Sequence, residues 1–249
     1  MASSLRSFYN GCDLVLVPTD VMRNDLKQIG VLGAKMKLWQ RGLDKTIFNP
    51  GKANPEVSHS ITGNSKPNVL FASRLVWEKN LETLIQINEI NNEAGRPYNI
   101  IVAGDGIARQ ELQRKMKHAF FTGSVSQSQL AAFYASARVF LFPSISETYG
   151  NVVAEAMSCG TPCVIGNGGG TTTFIENNET GFVIEPFKAK DYHDALLKII
   201  NDGRLYSHLA LNCINQTRFL NWESLAEEFY HLLKGLTVMN ETVHPSSAA

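Results

Sequence analysis

The stretch NVLFASRLVWEKNLETLIQINEINNEAGRPYNIIVAGDG, Asn68–Gly106, decides the fold. It opens on a short apolar run, NVLFAS. A segment with Leu81, Leu84 and Ile85 at helical spacing follows, and a second apolar run, YNIIVAG, closes it. Apolar runs without alternation suit strands buried on both faces, and a ~10-residue helical segment between two of them is the mark of a parallel β-α-β unit. The pattern continues downstream. Strands are predicted at Ala119–Ser124, Val139–Ser144, Pro162–Gly166 and Gly181–Pro186, with helices in ARQELQRKMK, SQLAAFYASA and NVVAEAMSCG, and at 191–201, 205–219 and 222–234. The fold class is therefore α/β, a Rossmann-like parallel sheet with helices on both faces.

Upstream, DLVLV (Asp13–Val17) reads as one more buried strand. Thr19-Asp20 signals a helix start, with Gly30 near its end. Residues 51–67, GKANPEVSHSITGNSKP, are rich in Gly, Pro, Ser and Asn, so a linker without a core is expected there. The expected organisation is 1–50 as one part, 51–67 as linker, 68–235 as the main domain with closing helices, and 236–249 as a flexible tail.

Composition narrows the function. Basic and acidic residues balance at 23 each, without the basic excess of a nucleic-acid partner. Hydrophobic residues make up 44%, enough for a sizeable core. No apolar run reaches the ~18 residues of a membrane span, and Leu14–Val17 is too short for a signal peptide, so a cytoplasmic location is expected. Cys12, Cys159, Cys163 and Cys213 form no C-x-x-C pair and have no histidine at zinc-finger spacing. Buried free thiols and no metal site are expected.

Open parallel sheets bind ligands outside the carboxyl ends of their strands. The loops at 73–80, 104–107, 123–127, 143–151 and 166–170 are the ones to examine. In SETYGNVVAEAMSCGTPCVIGNGGG, Ser146–Gly170, a loop holding Glu147, Thr148 and Tyr149 leads through Gly150-Asn151 into a helix carrying Val152 and Glu155. A helix start offers free amides and partial positive charge to a phosphate, and two carboxylates can accept from hydroxyls on either side of it. Phosphate between two hydroxyl-rich rings describes a sugar nucleotide. Solvated glutamates are the plain alternative, but Glu155 sits in an apolar neighbourhood where a charge is costly. Arg74 and Lys79 directly follow a strand and can neutralise a diphosphate; a solvated pair, or Lys79 paired with Glu78 on the surface, is the plain alternative and, for these residues alone, the stronger one. Gly104 and Gly106 in AGDG, and Ser124 and Val125 after Gly123, either admit a nucleotide or form turns. Gly168–Gly170 is either an adaptable loop or a tight contact.

Together these residues resemble glycosyltransferase family 4, retaining enzymes of GT-B fold. Glu147 and Glu155, seven residues apart and followed by Ala156-Met157, Gly160 and Pro162, resemble its E-x₇-E signature. SRLVWEKN resembles its phosphate loop; GDG, FTGSV and the glycine loop follow in order, and RGLDKTIFNP and DLVLVPTD resemble stretches near the end of its amino-terminal domain. The likeness spans roughly residues 8 to 235. It implies the C-terminal half of a GT-B fold, with residues 1–50 a remnant of the other half.

By that resemblance Glu147 contacts the donor sugar, Glu155 the ribose, and Arg74 and Lys79 the diphosphate, with Glu147, Arg74 and Lys79 the catalytic set. Gly104, Gly106, Ser124, Val125, Thr148, Tyr149, Gly150, Asn151 and Val152 complete the donor site. The substrate is a UDP- or GDP-sugar, with no cofactor and no metal. The acceptor, a glycolipid or cell-envelope polysaccharide, stays open, as does peripheral membrane association at the inner face through the missing amino-terminal domain. One departure is Thr171-Thr172-Thr173, where the family often has an acidic residue. The isolated chain is expected to bind donor and transfer poorly. A binding module without transfer and a GT-B sugar-nucleotide epimerase are the alternatives.

Overall fold

The computed structural model describes residues 2–243, with side chains through residue 236. Its contacts divide it into two compact units: the chain up to Asp44 together with the chain from Phe219 on, and Lys45–Arg218.

The smaller unit holds α1 (Ala2–Gly11), β1 (Val15–Val17), α2 (Asp20–Gln28), β2 (Met36–Leu38) and a last helix, α10 (Trp222–Val243). The strands β1 and β2 run parallel, with Val15 opposite Met36. Val15, Val17, Val31 and Met36 form a small core, lined by Tyr9, Leu26 and Ile29. Thr19 caps α2 by accepting from the Met22 amide, as its position before Asp20 predicts. Helix α1 went unpredicted, because it is short and buries no residue. Trp39 meets Phe229 at 5.6 Å and its indole N–H reaches the Leu225 carbonyl, so α10 packs in this unit. Two expectations are thereby corrected. The closing helix groups with the front of the chain rather than with 68–235, and residues 236–243 of the expected tail are helical. Residues 244–249 lie outside the described ones.

The larger unit is a six-stranded parallel sheet of β3 (Asn68–Ala72), β4 (Asn99–Ala103), β5 (Phe120–Gly123), β6 (Val139–Phe142), β7 (Cys163–Gly166) and β8 (Gly181–Ile184), in the order β5-β4-β3-β6-β7-β8. Around it lie α3 (Pro55–Thr62), α4 (Leu81–Glu93), α5 (Arg109–Lys115), α6 (Gln127–Ser136), α7 (Asn151–Ser158), α8 (Ala189–Asn201) and α9 (Gly203–Thr217). Helices α4 and α8 pack together, as do α6 and α7. The chain starts at β3, winds out to β5, crosses back to β6 and winds the other way. Because such crossovers are right-handed, the reversal puts helices on both faces and opens a crevice at the carboxyl ends of β3 and β6.

The expected linker at 51–67 is mostly helix. Asn54 caps α3 through the Glu56 amide, Pro55 occupies its first turn and Gly63 ends it at φ 65°. Ser58 and Thr62 are buried and α3 packs on α6. Its polar composition hid it, because the buried face is made of small hydroxyl residues rather than apolar ones.

Candidate active site

The crevice is built from the loops after β3 and β6. Beyond β3 the chain makes a tight turn at Trp77–Lys79, ending on Asn80 in the left-handed conformation at φ 56°. Buried Asn80 holds that shape by donating to the Pro143 carbonyl at 3.1 Å and accepting from Thr83 at 2.8 Å. Pro143 starts the loop after β6, so one amide joins the two loops. Ser146 adds a second tie, donating to the Glu78 carbonyl at 3.2 Å.

These ties bring Lys79 and Glu147 together. Lys79 Nζ lies 2.5 Å from Glu147 Oε1, and the side chains keep only 11% and 19% of their exposure. Fully buried Ser144 donates to the same carboxylate oxygen at 3.0 Å. The glycine loop backs this arrangement. The Gly170 amide donates to the Glu147 carbonyl at 2.6 Å, and a Cβ on Gly170 would collide with the Thr148 carbonyl. Gly168, Gly169 and Gly170 pack against Ile145, Glu147 and Thr148, where a Cβ on any of them would collide with the 145–149 loop.

A cavity of about 240 Å³ opens at the same strand ends, walled by Ser73 and Arg74 after β3, Gly104 and Asp105 after β4, Ser124 and Val125 after β5, and Val152 on α7. Three strand-end loops and the first turn of α7 thus converge on one volume. Gly104 permits the close approach. At φ 132°, any Cβ there would overlap the Ser73 carbonyl. Arg74 leaves its guanidinium three-quarters exposed and touches Glu78 only at 3.5 Å. An exposed pair of that kind contributes little, so the cation is free to take an anion.

Helix α7 begins at Gly150, which sits at φ 90° and supplies no side-chain cap. The Val153 amide bonds the Gly150 carbonyl at 3.0 Å, and the Asn151 and Val152 amides ahead of it are the ones a helix leaves for an outside acceptor. Glu155 stands one turn into α7, three residues beyond Val152 on the same face. The Tyr134 hydroxyl donates to Glu155 Oε2 at 3.3 Å. Burial raises the pKa of Glu155, and that hydrogen bond pulls it part of the way back. Burial also raises the phenol of Tyr134 well above its ordinary range, with the Glu155 charge adding to it.

The predicted residues fall into three groups. Arg74, Gly104, Ser124, Val125 and Val152 wall the cavity; Lys79 and Glu147 form an ion pair; Glu155 pairs with Tyr134. Thr148 and Asn151 are exposed beside Gly150. Two expectations need correction. Tyr149 is 2% exposed and packs edge-on to Phe174 at 5.0 Å, so its ring is core and offers a ligand only its backbone. Gly106 does not wall the cavity but lets the chain pass the Leu75 carbonyl. Sequence reasoning missed Ser144, Asp105 and Tyr134. Tyr134 carried no signal, since a tyrosine in an apolar helical segment reads as core. Among the described residues, no three His, Cys, Asp or Glu side chains gather to hold a metal ion, and no helix is long and apolar enough to cross a membrane.

Comparison with known proteins gives the family and the fold. Residues 57–219 match the family described as Glycosyl transferases group 1. The sulfoquinovosyl transferase SQD2 of Arabidopsis thaliana is 32% identical over 232 residues, covering 90% of this chain and 45% of that protein. A GDP-mannose-dependent alpha-mannosyltransferase of Corynebacterium glutamicum is 26% identical, covering 90% and 53%. The chain therefore spans about half the length of these relatives. Among solved structures, Anabaena Alr3699/HepE in complex with UDP and glucose superposes with a TM-score of 0.82 at 18% identity, over 94% of this chain and 66% of that one. Sucrose-phosphate synthase from Thermosynechococcus elongatus gives 0.82 at 23%, over 96% and 62%. At these identities the likeness is one of GT-B fold.

Proposed function

The chain belongs to the glycosyl transferases group 1 family, and from that premise we propose that it seats a UDP- or GDP-sugar at the carboxyl ends of β3 and β6, for transfer to an acceptor with retained anomeric configuration. The observation that carries the proposal is the convergence of the loops after β3, β4 and β5 and the first turn of α7 on one cavity walled by Arg74, with the Lys79–Glu147 pair held at the carboxyl ends of β3 and β6. In this reading the nucleotide occupies the cavity, its ribose hydroxyls turned to Glu155. The diphosphate meets Arg74, Lys79 and the open amides of α7. The sugar meets Glu147.

Transfer needs the glycosidic C–O bond to the diphosphate to break as the acceptor hydroxyl attacks from the same face, its proton passing to the departing phosphate oxygen. Negative charge grows on the departing phosphate oxygen. Arg74 and Lys79 supply positive charge for it within the protein, so the reading requires no metal. Glu147 accepts from sugar hydroxyls and fixes the ring for the attack. The name of the GDP-mannose-dependent relative supports sugar nucleotides as donor class; a glycolipid or cell-envelope polysaccharide as acceptor, at the inner face of the membrane, is part of the proposal.

Calorimetry with UDP- and GDP-sugars tests the donor site, and a radiolabelled transfer assay separates an enzyme from a donor-binding module. Absence of binding by any sugar nucleotide up to millimolar concentration would remove the proposal.

A further inference from the structure

The Tyr134 phenol is completely buried, yet it ends on a carboxylate of the proposed donor site. Three contacts fix its position. Phe140 meets the ring edge-on at 5.2 Å, Phe48 lies at 6.2 Å, and Thr161 donates to the Tyr134 backbone carbonyl at 2.5 Å. A ring held on two sides, with its backbone tied to the start of the next strand segment, presents its hydroxyl in one place. The hydroxyl reaches Glu155 Oε2 from below, from α6 toward α7. The other carboxylate oxygen, Oε1, has no hydrogen-bond partner among the described residues. Val152, one turn earlier on the same face of α7, walls the cavity.

We propose that Tyr134 is a positioning residue for nucleotide recognition: it anchors Glu155 Oε2 and so aims Oε1 at the ribose hydroxyls of the donor. The inference rests on the donor-site reading given above and adds to it how the ribose acceptor is held. A glutamate side chain has several rotamers, and a half-buried carboxylate without an anchor would sample them or turn to solvent. One hydrogen bond from a rigid donor removes that freedom and keeps the carboxylate charged where burial opposes the charge. The groups facing Glu155 are few. Tyr134 approaches from α6, Cys159 stands one turn on at the end of α7 with Lys45 near it, and Cys163 lies close to Tyr134. Tyr134 is the one that hydrogen-bonds the carboxylate.

The test compares UDP with 2′-deoxy-UDP, and GDP with 2′-deoxy-GDP, over pH 5 to 8 by calorimetry. The parent is expected to prefer the ribonucleotide, with binding that strengthens as pH rises through the titration of Glu155. Tyr134→Phe keeps the ring packing and removes the anchor. It is expected to lose about tenfold in ribonucleotide affinity, to lose most of the preference over the deoxynucleotide, and to move the pH midpoint upward. A 3-fluorotyrosine at position 134 keeps ring and hydroxyl but donates more strongly, so its midpoint should move downward. That second variant decides the matter even where Tyr134→Phe folds poorly. If the parent discriminates ribose and both variants keep its preference and midpoint, the positioning role is wrong while the donor site stands. If the parent binds no nucleoside diphosphate at all, both readings fall together.

Discussion

Lys79 Nζ and Glu147 Oε1 lie 2.5 Å apart although 68 residues separate them in the chain. Lys79 follows β3 and Glu147 follows β6, and the two strands are neighbours at the point where the sheet reverses its winding. Each residue is the charge the other needs until a ligand arrives. In the proposed donor complex a diphosphate would offer Lys79 a stronger anion and a sugar would offer Glu147 hydroxyl donors, so that two sets of contacts would replace one ion pair.

This gives the first prediction. Lys79→Met leaves Glu147 largely buried with Ser144 as its remaining donor, and is expected to cost about 2 kcal/mol, below the value for a fully buried pair because water still reaches both groups. UDP affinity should fall at least tenfold while uridine binding stays unchanged. Urea unfolding and paired titrations with UDP and uridine check it, and equal UDP affinity in the two proteins would contradict the phosphate role.

Glu155 gives the second. Its pKa in the folded chain is raised by burial, so the folded state holds a proton at pH values where the unfolded state has released it. Stability of the ligand-free protein should therefore fall as pH rises from the ordinary carboxyl range through the raised folded pKa, and be flat above it. Nucleotide binding should change in the opposite sense, because the charged carboxylate is the better acceptor. Glu155→Gln should stabilise the free protein at neutral pH, remove this pH dependence and weaken UDP binding. Thermal melts across pH 4 to 8, with and without UDP, measure both trends.

The third concerns the approach of the strand-end loops. Gly104→Ala forces a Cβ into the Ser73 carbonyl at a backbone angle that L residues rarely adopt, and a loss of roughly 3 kcal/mol is expected. Gly203, in the first turn of α9, has open space around it. Gly203→Ala should be neutral or stabilising by up to about 1 kcal/mol. Denaturation midpoints of the two variants, made side by side, give the comparison.

The fourth concerns metal. Since the proposed diphosphate charge is met by Arg74, Lys79 and the start of α7, excess EDTA should leave UDP-sugar affinity within twofold of its untreated value. A large loss restored by Mg²⁺ or Mn²⁺ would overturn the metal-independent reading.

The sheet was legible because a strand buried on both faces must be apolar throughout, and NVLFA, NIIVA and VFLF announce themselves that way. The glycines and prolines between them mark where each element stops. Helix α3 was not legible, since its buried face is Ser58 and Thr62 rather than leucine. Glu147, Arg74 and Lys79 could be singled out as charges placed directly after strands. That the Tyr149 ring is buried against Phe174 was not legible, since a side chain's burial depends on distant elements.

Local chemistry in the chain thus determined the alternation of strands and helices, the parallel sheet and the set of loops able to meet a ligand. Only the tertiary structure decided that Lys79 faces Glu147, that Tyr134 reaches Glu155, and that α10 packs with the first 44 residues. The physical reason is distance along the chain. Periodicity and turn chemistry act over a few residues, whereas these pairings depend on the strand order, and strand order is set by how the whole sheet buries its two faces.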